Sequence, residues 1–280
     1  MLAEVLNKMT LKKYCQKAEK EGWAIGQFNF SNLKTLEAIV RAAQKMKALI
    51  IVGTSEGESR SLGLARAVSL VKTFQAETKL PIFLNLDHGK SFAYIKKAID
   101  VGYKAVHFDG SELSLAQNIK QTKQVVKYAK KFNVFVEGEV GVIGGILTDP
   151  QAALKYVRET GVNSLAVSIG NLHGIKASGI NPHLNLKRLK EIKSKVGNLP
   201  LVLHGGSGTP EKDIKAALKL GIVKVNINTE LRIAYTQTLR KVLKRKSKEI
   251  TPYKYMPPVL EAVQKVVENK IKLFNSQNKV

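Results

Sequence analysis

The run Pro81-Ile-Phe-Leu-Asn-Leu-Asp87-His88 sets the architecture of this chain. A short apolar, β-rich run ends abruptly in an aspartate and a histidine, two side chains that carry chemistry. The pattern recurs in Ser168-Ile-Gly-Asn-Leu-His173-Gly174 and in Leu201-Val-Leu-His204-Gly205-Gly206-Ser207-Gly208. Runs that are apolar almost throughout suit parallel strands covered on both faces. If they are strands of one closed barrel, three imidazoles point into the same mouth. Histidine is the commonest metal ligand, and three protein ligands with an open position make the usual catalytic zinc arrangement.

The rest of the chain supports that barrel. Eight runs read as strands: 23–30, 48–54, 81–87, 105–109, 134–139, 164–169, 201–203 and 223–227. Helical patterns lie between them, among them 33–46, 113–130 and 213–220, the last followed by Gly221 as a stop signal. Eight β-α units in succession predict a TIM (β/α)8 barrel, an α/β fold, as one domain over residues 1–280. Extra helices at the ends, 11–21 and 258–274, are expected to cap the barrel or make subunit contacts.

Composition narrows the class. The chain has 280 residues, close to the roughly 250 of such barrels. No apolar run approaches the ~20 residues of a membrane span, and Met1–Thr10 lacks the pattern of a signal peptide. One cysteine, Cys15, excludes an internal disulfide framework; it sits in a helical pattern and reads as structural, with a cytoplasmic location expected. The net charge of +24 is spread over nearly every helical segment, with one dense cluster at Lys241, Lys244, Arg245, Lys246 and Lys248. The chain has no RNA-binding fingerprint and no zinc-finger spacing, so specific nucleic-acid binding is not expected. The charge reads either as lysine on outer helix faces that keeps the protein soluble or as a field that gathers phosphorylated small molecules.

In these barrels the chemistry sits at the C-terminal strand ends. Read in order, the ends give Asn29 and Ser31; Ser55; Asp87, His88 and Gly89; Asp109; Glu137 and Glu139; Asn171, His173 and Gly174; the Gly205–Gly208 run after His204; and Asn226-Ile227-Asn228-Thr229. His88, His173 and His204 are the candidate metal ligands. Asp87 is a candidate general acid/base or a carboxylate that orients a histidine, and Asp109, Glu137 and Glu139 share that ambiguity or hold a second cation. The glycine run and Asn226–Thr229 stand where barrels of this type bind phosphate. His183 reads as a loop residue, and His107 as a core residue one layer below Asp109. The residues together describe a zinc-dependent barrel enzyme acting on a phosphorylated small molecule, the metal polarising a carbonyl.

Six segments in one order resemble the class II, metal-dependent fructose- and tagatose-bisphosphate aldolase family. They are Gly26-Gln-Phe-Asn29, Leu86-Asp-His-Gly89, Val136-Glu-Gly-Glu-Val-Gly141, Gly170-Asn-Leu-His-Gly174, Leu203-His-Gly-Gly-Ser-Gly208 and Lys224-Val-Asn-Ile-Asn-Thr-Glu230. The resemblance implies that His88, His173 and His204 bind zinc, with cobalt or iron as alternatives. It makes Asp87 the group that exchanges a proton with the substrate C4 oxygen as the C3–C4 bond breaks to give dihydroxyacetone phosphate and glyceraldehyde 3-phosphate, in glycolysis or gluconeogenesis. Asn226 and Ile227 would lie along the dihydroxyacetone phosphate. Gly174, Gly205, Gly206, Ser207, Asn228 and Thr229 would hold its phosphate, with a monovalent cation. Lys176 would be a further phosphate ligand, Asp109 and Glu139 a second metal site, and Ser55 a contact at the glyceraldehyde 3-phosphate end. A homodimer or homotetramer is implied.

The chain departs from that pattern in three places. The loop after the fifth strand is about ten residues short and lacks the family's mobile glutamate, a gating and proton-transfer element. Here Gly144-Gly145 runs into Asp149-Pro150, where Asp149 reads as a helix start. The spacing from His173 to Lys176 is one residue short. The Asp-Pro-Arg triplet that helps hold the distal phosphate reads Thr251-Pro252-Tyr253, with Lys254 able to replace its charge but not its bidentate geometry. Three readings follow: an active aldolase, an enzyme with a changed aldehyde or reaction, or a non-catalytic metal- or sugar-phosphate-binding protein.

Overall fold

A computed structural model describes residues 9–179 and 181–280; the first eight residues of the Met1–Thr10 segment read above lie outside it. Eight strands, β1 (Ile25–Asn29), β2 (Ile50–Ser55), β3 (Ile82–Gly89), β4 (Ala105–Phe108), β5 (Phe135–Val140), β6 (Ser164–Val167), β7 (Leu201–Leu203) and β8 (Ile222–Ile227), close a barrel in chain order. Every pair is parallel, and β8 returns to β1 with Gln27 opposite Asn226. This is the expected TIM barrel.

The helices follow the sequence signals closely. α1 (Leu11–Glu21) precedes β1 and α2 (Leu33–Met46) follows it, and both have the predicted limits. The predicted 113–130 helix begins two residues later as Leu115–Lys130, because Ser114 and Gln117 close a capping box. The predicted 213–220 helix is Glu211–Lys219, starting directly after Pro210. α1 caps the barrel as expected. Its buried Leu11, Tyr14, Cys15 and Ala18 pack with Ile25, Ile51, Phe135 and Val223 at the strand starts. Cys15 is buried there, and burial pushes its thiol up to about 12.

Two short segments bear on the mouth. After β2, Ser55 caps a short helix, α3 (Glu56–Leu62), in a full capping box with Glu58. After β8 the chain enters a helix spanning Thr229–Arg245, called α4 here, whose first turn faces the site. The basic cluster 241–248 lies at its other end, about 20–25 Å along the axis from Thr229, and so forms no part of the mouth. The helix predicted over 258–274 spans Pro257–Leu273 and packs against α2 and α4 on the outside of the barrel. Among the described residues no helix is long and apolar enough to cross a membrane.

Candidate active site

The β3 end is bent by an irregularity in its pairing with β4 between Leu86 and Gly89, and His88 takes a left-handed φ of 51°. A bulge re-aims side chains. Neighbours on a strand face opposite ways, yet here Asp87 and His88 both line the mouth. The unprotonated Nδ1 of the fully buried His107 holds the bend by accepting the His88 backbone N–H at 3.2 Å. His107 is thus core, as expected, with its ring 4.8 Å from that of His88.

The histidines are linked through hydrogens whose direction the neighbours set. His88 Nδ1 meets Asp109 Oδ2 at 2.8 Å, and its Nε2 meets His204 Nδ1 at 3.0 Å. His204 Nε2 donates to Glu137 Oε1 at 2.7 Å, and Lys224 Nζ donates to the other Glu137 oxygen at 2.6 Å. Burial alone would lower the His88 pKa, but Asp87 and Asp109 outweigh it and push it up to about 9. Burial moves His204 and His173 downward, His173 to about 4, which leaves neutral imidazoles. His173 stands on the segment after β6, its ring 4.9 Å from His88 and 6.3 Å from His204.

His88 and His204 fit a divalent ion, whereas His173 stands outside the group of ligand atoms that lie within 4.8 Å of one another. Two nitrogens on one tetrahedral zinc lie about 3.3 Å apart, close to the 3.0 Å between His88 and His204. Their outer nitrogens are already held by carboxylates, the usual way a ligand histidine is oriented. Asp87, His88, His107 and His204 bring ligand atoms within 4.8 Å of one another, and His88, Asp109 and Glu139 form a second such group. In that second group Lys90 Nζ already meets Asp109 Oδ2 at 2.9 Å.

Asp87 is placed by two amides. Asn29 Nδ2 donates to its Oδ2 at 2.9 Å and Asn226 Nδ2 to its Oδ1 at 3.1 Å. The Asn29 amide is itself oriented by a buried chain in which Asn85 donates to Gln27 and Gln27 to Asn29 Oδ1. Burial would raise the Asp87 pKa; His88, His204 and Lys224 outweigh it and hold the carboxyl below its usual range. Asn226 Oδ1 is buried without a hydrogen-bond partner, an acceptor left for whatever enters.

A cavity of about 370 Å³ lies over this group. Asp87, His88, His173 and His204 line it, with Gly174, Gly205, Ser207, Asn226, Asn228 and Thr229 on the β6–β8 side and Asn29, Ser55 and Arg232 on the β1–β2 side. Gly205 has a structural requirement: its φ is 64°, and a Cβ would lie 2.0 Å from the Leu172 carbonyl oxygen. Three candidate substrate residues do not line the cavity. Ile227 is fully buried core, Gly206 packs on Val225 and Ile227, and Lys176 is exposed at the start of a turn, its backbone N–H taken by Asn181. His183 is exposed and pairs with Asp213 at 2.9 Å.

Sequence reasoning missed Glu58, Arg232 and the role of Lys224. Lys224 had a signal, a charge in the middle of an apolar strand. Arg232 lies one turn beyond Asn228, on the helix face that turns to the mouth. The segment after β5 is pinned down: Gly144 N–H bonds Asn171 O at 3.0 Å, Thr148 N–H bonds Ser168 O at 2.9 Å, and Asp149 caps the next helix through Ala152 N–H at 2.7 Å.

A parallel eight-stranded barrel with histidines and carboxylates gathered at its mouth is the frame of a barrel enzyme with a place for a metal ion. The model of the class-II fructose-bisphosphate aldolase family matches residues 9–279, and the chain belongs to that family. It is therefore an aldolase, a carbon–carbon lyase of a metal-dependent family. It is 37% identical over 284 residues to the fructose-bisphosphate aldolase of Staphylococcus aureus, covering 97% of this chain and 98% of that one. The crystal structure of the YdjI aldolase from Escherichia coli K12 superposes with a TM-score of 0.85 at 30% identity, over 97% of this chain and 99% of that one. The fructose-bisphosphate aldolase of Campylobacter jejuni shares the fold, with a TM-score of 0.85 at 23% identity over 96% and 95% of the two chains.

Proposed function

We propose that the chain reversibly cleaves the C3–C4 bond of a ketose phosphorylated on C1, giving dihydroxyacetone phosphate and an aldehyde. Fructose 1,6-bisphosphate, named by the relatives, and its C4 epimer tagatose 1,6-bisphosphate are the reference substrates. The observation that carries the reading is the pair of facing nitrogens, His88 Nε2 and His204 Nδ1, 3.0 Å apart beside an ionised Asp87. His88, His173 and His204 would hold a divalent ion, zinc foremost, which when bound supplies Lewis-acid polarisation of the substrate carbonyl.

The protein's own groups do the rest. Asp87 takes the proton from the C4 hydroxyl as the C3–C4 bond breaks, and C4 becomes the aldehyde carbon. The electron pair of the broken bond stays on C3, which then gains a proton from water. Asn29 and Asn226 hold Asp87 for that transfer, and the free Asn226 Oδ1 accepts from a substrate hydroxyl. The phosphate on C1 lies against Gly174, Gly205, Ser207 and the first turn of α4, where backbone N–H groups and the helix dipole favour an anion. Asp109 and Glu139 are the place for any second cation. A homodimer or homotetramer in the cytoplasm completes the proposal.

The test is a coupled assay of triose phosphate release by metal-loaded protein from both bisphosphates, with and without chelator. Chelator-sensitive release from either is the expected outcome. Intact, zinc-loaded protein that cleaves neither, nor fructose 1-phosphate, would sink the aldolase reading and favour a binding role.

A further inference from the structure

Beside the β1–β2 side of the cavity stands a carboxylate that the reaction above leaves unused; it lines a neighbouring pocket, while its partners Asn29, Ser55, Asn228 and Arg232 line the cavity itself. Glu58 is 7% exposed and accepts from four donors. Its Oε2 takes Asn29 Nδ2 at 3.1 Å and the Ser55 backbone N–H at 2.8 Å. Its Oε1 takes Asn228 Nδ2 at 3.2 Å and the Arg232 guanidinium. Two bonds per oxygen saturate a carboxylate. Helix capping accounts for the Ser55 contact alone, since the other donors stand 29, 170 and 174 positions away. Donors from β1, β2 and α4 thus converge on one anion position, and the chain fills it with its own side chain.

The charges at the two ends of the cavity differ. Arg232 is the sole lysine or arginine among the described residues lining the cavity, and Glu58 already pairs with it. The opposite end, on the β6–β8 side, offers neutral donors. A phosphate arriving beside Ser55 and Arg232 meets a carboxylate and finds the donors engaged; such like-charge juxtaposition is how sites reject a competitor.

We propose that the Glu58 carboxylate, beside the far end of the cavity, takes the donors that would otherwise hold an anion there, so that the enzyme selects ketoses phosphorylated on C1 alone, whose aldehyde half ends in an uncharged hydroxyl. The proposal rests on the aldolase reading above for the identity of the two ends. Glu58 is then a specificity-determining residue.

The experiment compares fructose 1-phosphate with fructose 1,6-bisphosphate, by kcat/KM of the metal-loaded chain and by calorimetric Kd of the metal-free chain. Wild type is expected to favour the monophosphate in both. Glu58→Gln, nearly isosteric, is expected to move both ratios at least tenfold toward the bisphosphate. A wild type that prefers the bisphosphate by tenfold or more overturns the proposal whether or not the variant folds. A smaller shift in a folded variant overturns it too. Should wild type cleave neither sugar, the aldolase reading fails, and the two Kd ratios still decide the role of Glu58.

Discussion

His204 donates its Nε2–H to Glu137 at 2.7 Å inside the barrel, one layer below the mouth. The other Glu137 oxygen is neutralised by Lys224 at 2.6 Å, so the buried carboxylate stays ionised. His204 is thereby locked in the tautomer whose Nδ1 faces His88.

Glu137→Gln should weaken metal binding by roughly 10–100-fold, because the amide can present its N–H₂ to His204 and allow the wrong tautomer. Competition with a fluorescent chelator reads this directly. Glu137→Ala should cost more in stability, about 3–5 kcal/mol, because Lys224 is left buried without its partner. Equal stability of the two variants would show that the pair does not hold the barrel interior.

Asp87→Ala should keep its metal and lose cleavage by about 10²–10⁴-fold, the usual contribution of a positioned acid/base. Elemental analysis beside the coupled assay separates the two effects. Turnover near that of wild type would remove Asp87 from the proposed chemistry.

Gly205→Ala and Gly174→Ala form a matched pair. Both glycines have positive φ, 64° and 85°, but only at Gly205 does a Cβ strike backbone, whereas nothing lies within 4 Å at Gly174. The Gly174 variant should lose about 1–2 kcal/mol from strain. The Gly205 variant should lose more and weaken metal binding as well, because the displaced Leu172 carries His173 with it. Denaturant midpoints and metal titrations that rank the two variants the other way would contradict this.

Cys15 has its thiol pushed up to about 12 by burial, against about 8.5 in an unfolded chain. The folded state holds the proton longer, so the thiol's contribution is complete below about pH 8.5 and is lost as pH rises toward 12. Wild type should therefore lose stability relative to Cys15→Ala on going from pH 8 to pH 10. Native protein should also resist a thiol reagent at pH 8 and react once unfolded in guanidinium.

The barrel was legible because each strand announces itself as an apolar run, and α2 even ends where its pattern ends. Asp87, His88 and His204 were legible as residues of the mouth because they stand at or directly after strand ends, while His173 was read from a run that the structure places on the segment after β6. The tautomer lock was not, since Glu137 and Lys224 lie 87 positions apart and meet only when β5 and β8 face each other across the barrel. Glu58 was hidden for another reason. Its Ser55-x-x-Glu58 spacing is a helix-start signal, and a capping residue gives no sign that its carboxylate also reaches Arg232.

The pinned segment after β5 has a consequence in time rather than in shape. None of its residues from 141 to 149 lines the cavity, so no segment there has to swing aside before a sugar enters or a triose leaves. The expected consequence is a kcat set by bond breaking and proton transfer, unchanged across a series of added viscogen; a kcat that falls in step with viscosity would put a release or gating step in control.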